Sequence, residues 1–134
     1  KEWEDSNKSH RRKYFKDKKE NDLNFKLIVL LRNRISDQIK RGKSKKTGSA
    51  VRDLGCSVKL LIQRLESMFY PNPETGEQME WSNHGTKGWH IDHTVPLSQF
   101  DLSDRKQFLE ACHYTNLQPL WANENWKKGN RIKV

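Results

Sequence analysis

The chain has 134 residues, 33% of them apolar and 32% charged. That is enough for one compact domain, or a small domain with a helical extension, and too few for two full cores. Twenty-six Lys and Arg against seventeen Asp and Glu leave a net charge of +9 and a pI near 9.7, which suits a polyanionic partner such as nucleic acid or an anionic membrane surface. No apolar run approaches the ~20 residues that a bilayer span requires and no signal-peptide pattern opens the chain, so we expect a soluble intracellular protein. Cys56 and Cys112 stand alone with no CxxC pair, so neither a disulfide framework nor a four-thiolate zinc site is indicated, and both are expected as buried small residues. Lys1 in place of an initiating methionine leads us to expect a piece of a longer product, or a processed one.

Residues 1–21 carry eight bases and five acids around Trp3, Tyr14 and Phe15. Such a segment has no face to bury and is expected as a solvated helix or as an arm that orders on a phosphate backbone. Leu23, Leu27, Ile28, Leu31, Ile35 and Ile39 then recur every three or four residues, the period of an amphipathic helix. From Arg32 to Lys46 seven bases face one acid, Asp37. Bases on a helix face ordinarily serve solubility, but seven in so short a span read as a phosphate-contacting patch. Gly42 to Ser49 has loop composition and is expected to be mobile. Ser57 can cap a second helix with Val58, Leu61, Ile62, Leu65 and Phe69 as its stripe, and Pro71 ends it. Pro71 to Gly76 is turn chemistry, and His84 in Asn83–His84–Gly85 is read as an exposed turn residue.

Trp89–His90–Ile91–Asp92–His93–Thr94–Val95–Pro96 sets two imidazoles and a carboxylate among β-branched residues, as a strand does. Alternation puts His90 and Asp92 on one face and His93 on the other, and a bend near Pro96 would bring Asp92 and His93 round one point. A single histidine is ordinarily a packed or solvated residue; the cluster is what points to chemistry. Ser103 or Asp104 is expected to cap a short helix to about Ala111, with Phe100, Phe108, Leu109 and Cys112 as core contacts. Tyr114 to Trp121 is expected as a loop or a short extended segment. A last helix should run from about Trp121 to Lys128, with Lys127 and Lys128 at its negative end, Gly129 as its cap, Trp126 packed, and Ile132 helping to hold it down.

Asp92–His93 with Pro96, then Asn116–Leu117–Gln118–Pro119–Leu120, then Asn125–Trp126–Lys127–Lys128–Gly129 resemble, in order, the motifs of the HNH endonuclease family, whose ββα-metal core is also called the His-Me finger. A lone Asp-His would be weak; three motifs over residues 89 to 130 are specific. The resemblance is nearest to HNH proteins of phages and mobile elements, where a basic helical segment and a Leu-Gly-Cys-Ser turn, here Leu54 to Ser57, precede the core. It therefore reaches back to about Leu23. What it implies is an α+β fold in which a basic, α-helical, nucleic-acid-binding region over 1–70 precedes a nuclease core over 71–134 made of a small antiparallel hairpin and a closing helix. The paired CxxC zinc ribbons of some family members are missing, so Trp81, Trp89, Leu97, Leu117, Leu120 and Trp121 must hold that core.

The implied activity is metal-dependent hydrolysis of DNA phosphodiesters, with duplex as the expected substrate. An imidazole with an ordinary pKa of about 6.5 can take a proton from water at neutral pH, and His93 matches the family's base. Asp92 and Asn125 match its ligands and offer hard oxygens to one divalent ion. Mg²⁺ is the first choice, Mn²⁺ fits the same surroundings, and no further cofactor is implied. Asn116 matches the asparagine that holds the loop and orients the base, though a turn asparagine is also ordinary here. His90 and His113 are supporting residues, His113 by the simpler reading only a helix cap. Lys128, Arg32, Arg34, Arg41, Lys43, Lys45 and Lys46 are the expected DNA contacts. Two other readings compete: a nucleic-acid-binding module with an inactive nuclease core, and an interaction protein whose charge binds acidic partners.

Overall fold

A computed structural model describes residues 8–14, 22–42, 45–85 and 87–129. Residues 8–14 are helical and exposed; the rest of the expected N-terminal arm, Lys43 and Ile132 lie outside the described residues. Helix α1 spans Leu23–Gly42 and buries Leu27, Leu31 and Ile35, the centre of the expected stripe. Helix α2 spans Val58–Ser67, starts where the Ser57 hydroxyl accepts from the Leu60 N–H (3.1 Å) and buries Leu61 and Leu65. Strand β1 (Trp89–His93) follows, then α3 (Arg105–Cys112), β2 (Leu117–Trp121) and α4 (Ala122–Lys128). The Asp104 carboxylate caps α3 by accepting from Gln107, and Gly129, at a positive φ of 54°, closes α4.

The fold is mixed α and β, with one antiparallel two-stranded ladder that pairs Trp89 with Trp121, Ile91 with Pro119 and His93 with Leu117. The strands are not joined by a tight turn, because α3 lies in the connection. The segment from Tyr114 to Trp121, expected as a loop or a short extended run, is a 3₁₀ turn over Tyr114–Asn116 followed by the extended strand β2. Pro119 removes a donor, which an edge strand tolerates. A ribbon of two strands is marginal alone, and helices cover both of its faces. Trp89, Ile91, Leu117 and Trp121 join α1, α2 and α3 in one cluster, drawn from both sides of residue 70, while Leu120 and Ala122 are buried outside it, where α4 packs on the ladder. Both indoles within the cluster are satisfied: Trp89 Nε1 donates to Glu80 O (2.6 Å) and Trp121 Nε1 to Tyr70 O (3.1 Å).

Three side-chain expectations fail. Trp126 is 68% exposed on the outer side of α4, because the face of this short helix that meets the ladder carries Ala122, Asn125 and Lys128. Leu109 is 39% exposed while Ala111, two positions on, is buried, so α3 presents a narrower stripe than its apolar residues suggest. His84 is half-buried, with its ring edge-on to Trp81 and Trp89 at 5.9 and 4.7 Å between centroids. The loop expected to be mobile is anchored at its end. The buried Asp53 carboxylate accepts from Ser49 N–H, from Arg52 and from both terminal nitrogens of Arg105 at 2.7 and 2.9 Å, and Arg105 also donates to Thr47 O. No helix of the described residues is long and apolar enough to cross a membrane.

Gly48 sits against this ion pair. A Cβ there would lie 2.1 Å from Asp53 Oδ2 and 2.2 Å from Arg105 Nη1. Gly48→Ala should therefore displace the bidentate pair and cost about 1–3 kcal/mol, as overpacking does, read as a lower urea midpoint with an unchanged slope.

Candidate active site

Alternation along β1 buries Trp89, Ile91 and His93 and leaves His90 and Asp92 half-buried on the other face. At the end of the strand the chain turns through Pro96 into a 3₁₀ turn, Leu97–Gln99, against which α1 packs. The turn opens a cleft of about 230 Å³ whose walls are Asp92, His93, Pro96 and Leu97, then Lys128 and Gly129 from the end of α4, and Arg34, Asp37, Gln38 and Arg41 from α1. Positions 34, 37, 38 and 41 are one helix face. Two residues that point to opposite faces of β1 thus reach one space.

Asn116 holds this geometry. Its backbone carbonyl accepts from Thr94 N–H (2.8 Å), extending the ladder by one pair; its Oδ1 accepts from Val95 N–H (2.8 Å); and its Nδ2 donates to Val95 O (3.1 Å) and Ala111 O (3.2 Å). One buried amide therefore fixes the segment just after His93 and ties it to the end of α3. His90 Nδ1 lies 2.8 Å from Asn125 Nδ2, which turns the nitrogen of that amide toward the ring. Lys128 is buried, and its ammonium donates to Asp92 Oδ2 (2.6 Å) and His93 O (2.7 Å); Gln118 Nε2 donates to the same carboxylate oxygen (3.1 Å). In this structure Lys128, expected as a DNA contact, is taken up by protein groups. Helix α4 carries it inward, where the nearest anion is Asp92.

The electrostatics follow from burial. His93, 7% exposed, is pushed down to about 4, first by desolvation and then by Arg34 and Lys128, with Asp92 opposing. His84 is pushed down to about 4 by desolvation and by Lys26, Arg34 and His90. Burial lowers the Arg34 guanidinium too, against the pull of Asp92.

Asp92, His93, Arg34, Arg41 and Lys128 thus line one cleft, and Asn116 and the His90–Asn125 pair support its strand. Arg32, Lys45 and Lys46 are exposed but do not line it. His113 is elsewhere: its Nδ1 accepts from Thr115 N–H (3.3 Å) at the start of the 3₁₀ turn, and its ring lies 4.5 Å from that of Tyr114. Sequence reasoning misses Gln118 and the α1 face of Asp37 and Gln38. The second has a signal, the spacing from Arg34 to Arg41; a ladder partner of Asp92 has none until the register is known.

Two curated relatives, both from Acanthamoeba polyphaga mimivirus, are similar to this chain. "Uncharacterized protein L426" is 32% identical over 111 residues, covering 83% of this chain and 45% of its own length. "Uncharacterized protein L246" is 32% identical over 108 residues, covering 81% and 43%. The chain spans less than half the length of these relatives. No family model matches, and no solved structure does.

Two outcomes are expected from these interactions. Asn116→Ala strands the Val95 N–H and the Val95 and Ala111 carbonyls and should cost about 2–4 kcal/mol in denaturant unfolding. The two depressed imidazoles make stability depend on pH. With folded values near 4 and an unfolded value of about 6.5, the unfolded chain binds more protons between those limits, so stability is full above about pH 6.5 and falls toward pH 4. For His93 the loss between pH 7 and 5 is about 2 kcal/mol, and urea midpoints should fall less steeply with pH in His93→Asn.

Proposed function

We propose that the chain is a metal-dependent DNA endonuclease of the HNH type. The observation that carries this reading is the convergence of Asp92, His93 and Lys128 on one cleft beneath a basic helix face. Asn116 and Asn125, the other two residues that the family pattern requires, support the same strand.

The residues fit a hard divalent cation in kind. Among the described residues no three His, Cys, Asp or Glu side chains gather as a metal group; the residues that would hold the ion are Asp92, through its carboxylate, and Asn125, through its amide oxygen. Mg²⁺ suits such a set best and Mn²⁺ also fits. When bound, the ion supplies positive charge to the phosphate and to the departing 3′ oxygen. Arg34 and Arg41 draw the backbone into the cleft. His93, neutral at physiological pH because it is buried among cations, accepts a proton from a water whose oxygen attacks phosphorus; the P–O3′ bond breaks, and the 3′ oxygen takes its proton from solvent. The backbone clamp of Asn116 keeps the His93 segment in place. Lys128 is the group that must give way, because its ammonium neutralises Asp92 in this state.

That ion pair is also the specific observation favouring the second reading, a core that binds DNA without cutting it. A plasmid-nicking assay with Mg²⁺ and with chelator separates the two: nicking only with Mg²⁺ supports the endonuclease, and metal-independent binding without nicking supports the inactive module. On the endonuclease reading His93→Ala should lose about 10²- to 10⁴-fold in rate with DNA binding retained. Asn125→His should keep more activity than Asn125→Ala, and the latter and Asp92→Ala should need far more metal to saturate; equal saturation would remove both from the ligand set. Neutralising Arg41, Lys43, Lys45 and Lys46 should weaken binding on all sequences alike and reduce the log–log salt slope by about 0.9 for each phosphate no longer neutralised.

A further inference from the structure

A second cavity, of about 330 Å³, opens on the other side of Arg34 and is lined by Leu30, Arg34, His84, Gly85 and His90. Arg34 belongs to both spaces. Leu30, Arg34, Gln38 and Arg41 follow one another along one side of α1, so the two cavities form a groove that runs from His90 at the start of β1 to His93 at its end. The eleven helical steps from Leu30 to Arg41 span about 16 Å at about 1.5 Å each, while successive phosphates of one strand advance about 3.4 Å along a duplex axis. The groove is therefore long enough for more than one phosphate.

The far cavity is also short of a partner. His84 Nδ1 is buried with no hydrogen-bond partner among the described residues. A buried polar atom left so costs about 1–3 kcal/mol unless something enters to meet it. The ring cannot turn away cheaply, since it is held against Trp81 and Trp89. Arg34 and His90 lie on the same cavity wall, and Lys26 adds positive potential at His84. A pocket with a guanidinium and two imidazoles, one of them with an unmet ring nitrogen, and no carboxylate in its lining, has the chemistry of an oxyanion site.

We infer that the cavity on the His84 side of Arg34 is a phosphate subsite, which takes the phosphodiester next to the one at His93 in the same strand. It rests on the reading of the His93 cleft as the place where a strand is cut. Arg34 then lies between consecutive phosphates and sets the register of the strand against His93, and His84 donates through a ring nitrogen to the outer one.

The test follows the imidazole signals of His84 by NMR, in chelator so that no cleavage occurs, during titration with inorganic phosphate, with a short DNA duplex, and with chloride as the ionic-strength control. Phosphate and duplex should each shift the His84 ring saturably, and chloride should not. His84→Phe keeps the ring against the tryptophans and removes the unmet nitrogen, so its melting temperature should be equal to or above the parent's; it should nonetheless weaken duplex binding about tenfold or more, the effect of removing one hydrogen bond to a charged group. Arg34→Gln should weaken both titrations. If inorganic phosphate moves His84 and the duplex does not, the site takes a small phosphate ligand and the strand assignment is overturned. If Mg²⁺-dependent nicking occurs but His84 is unmoved and His84→Phe binds as the parent does, the subsite is wrong and the endonuclease reading survives. If His84 responds to both probes and binding weakens as stated while no condition yields nicking, the subsite stands and the endonuclease reading falls.

Discussion

A ribbon of two strands has two faces and almost no edge-to-edge partners, so neither face of β1 and β2 can be left to water. One face is met by the cluster that α1, α2 and α3 build around Trp89, Ile91 and Trp121; the other is met by α4 over Leu120. Everything at the cleft follows from this double cover. Because α4 is pressed to the ladder, its last turn delivers Lys128 beneath Asp92, and because α1 is pressed to the turn after β1, its polar edge becomes the opposite wall. The charged groups are assembled by apolar packing that they do not themselves supply.

Much of this is legible in the residues, for reasons that differ by element. The stripes of α1 and α2, the Ser57 and Asp104 caps and the Gly129 terminus are local: period and capping chemistry act within a turn or two, and the structure has them where they read. β1 is legible from its β-branched alternation. β2 is legible only as either a loop or a short extended run, because Leu117 to Trp121 contains a proline and no alternation, and pairing with a segment distant in the chain decides for the strand. Trp126 and Leu109 mislead for a related reason. Size and hydrophobicity favour burial, but on helices as short as α4 and α3 the covered face is set by what lies beneath. His84 misleads in the opposite direction, since a turn composition hides a ring packed against two tryptophans.

At the site, the sequence order of Asp92, His93, Asn116 and Asn125 marks which residues gather about β1, but not how they are shared. The amide of Asn116 is used up on backbone, and the nitrogen of Asn125 faces an imidazole. The single ammonium of Lys128 holds both a side chain and a main-chain carbonyl. Such sharing is a matter of angles and depth. No spacing rule yields it, whereas the spacing of Arg34, Asp37, Gln38 and Arg41 on one helix face can be read in advance.

The connection through α3 has a kinetic side. Ladder partners are 24 residues apart at His93 and Leu117 and 32 apart at Trp89 and Trp121, so the ladder cannot zip from a tight turn as a local hairpin does. Two distant segments must first be brought together, and the entropy of closing that loop is given up before any pair is made. The segment between them is no idle tether: it carries α3, whose Ala111 carbonyl is bound by Asn116 at the mouth of β2. Folding of the helix would shorten the effective loop, so α3 and the local bond from Asn116 to the Ala111 carbonyl would lower the entropy cost of closing the ladder, and with it the cleft.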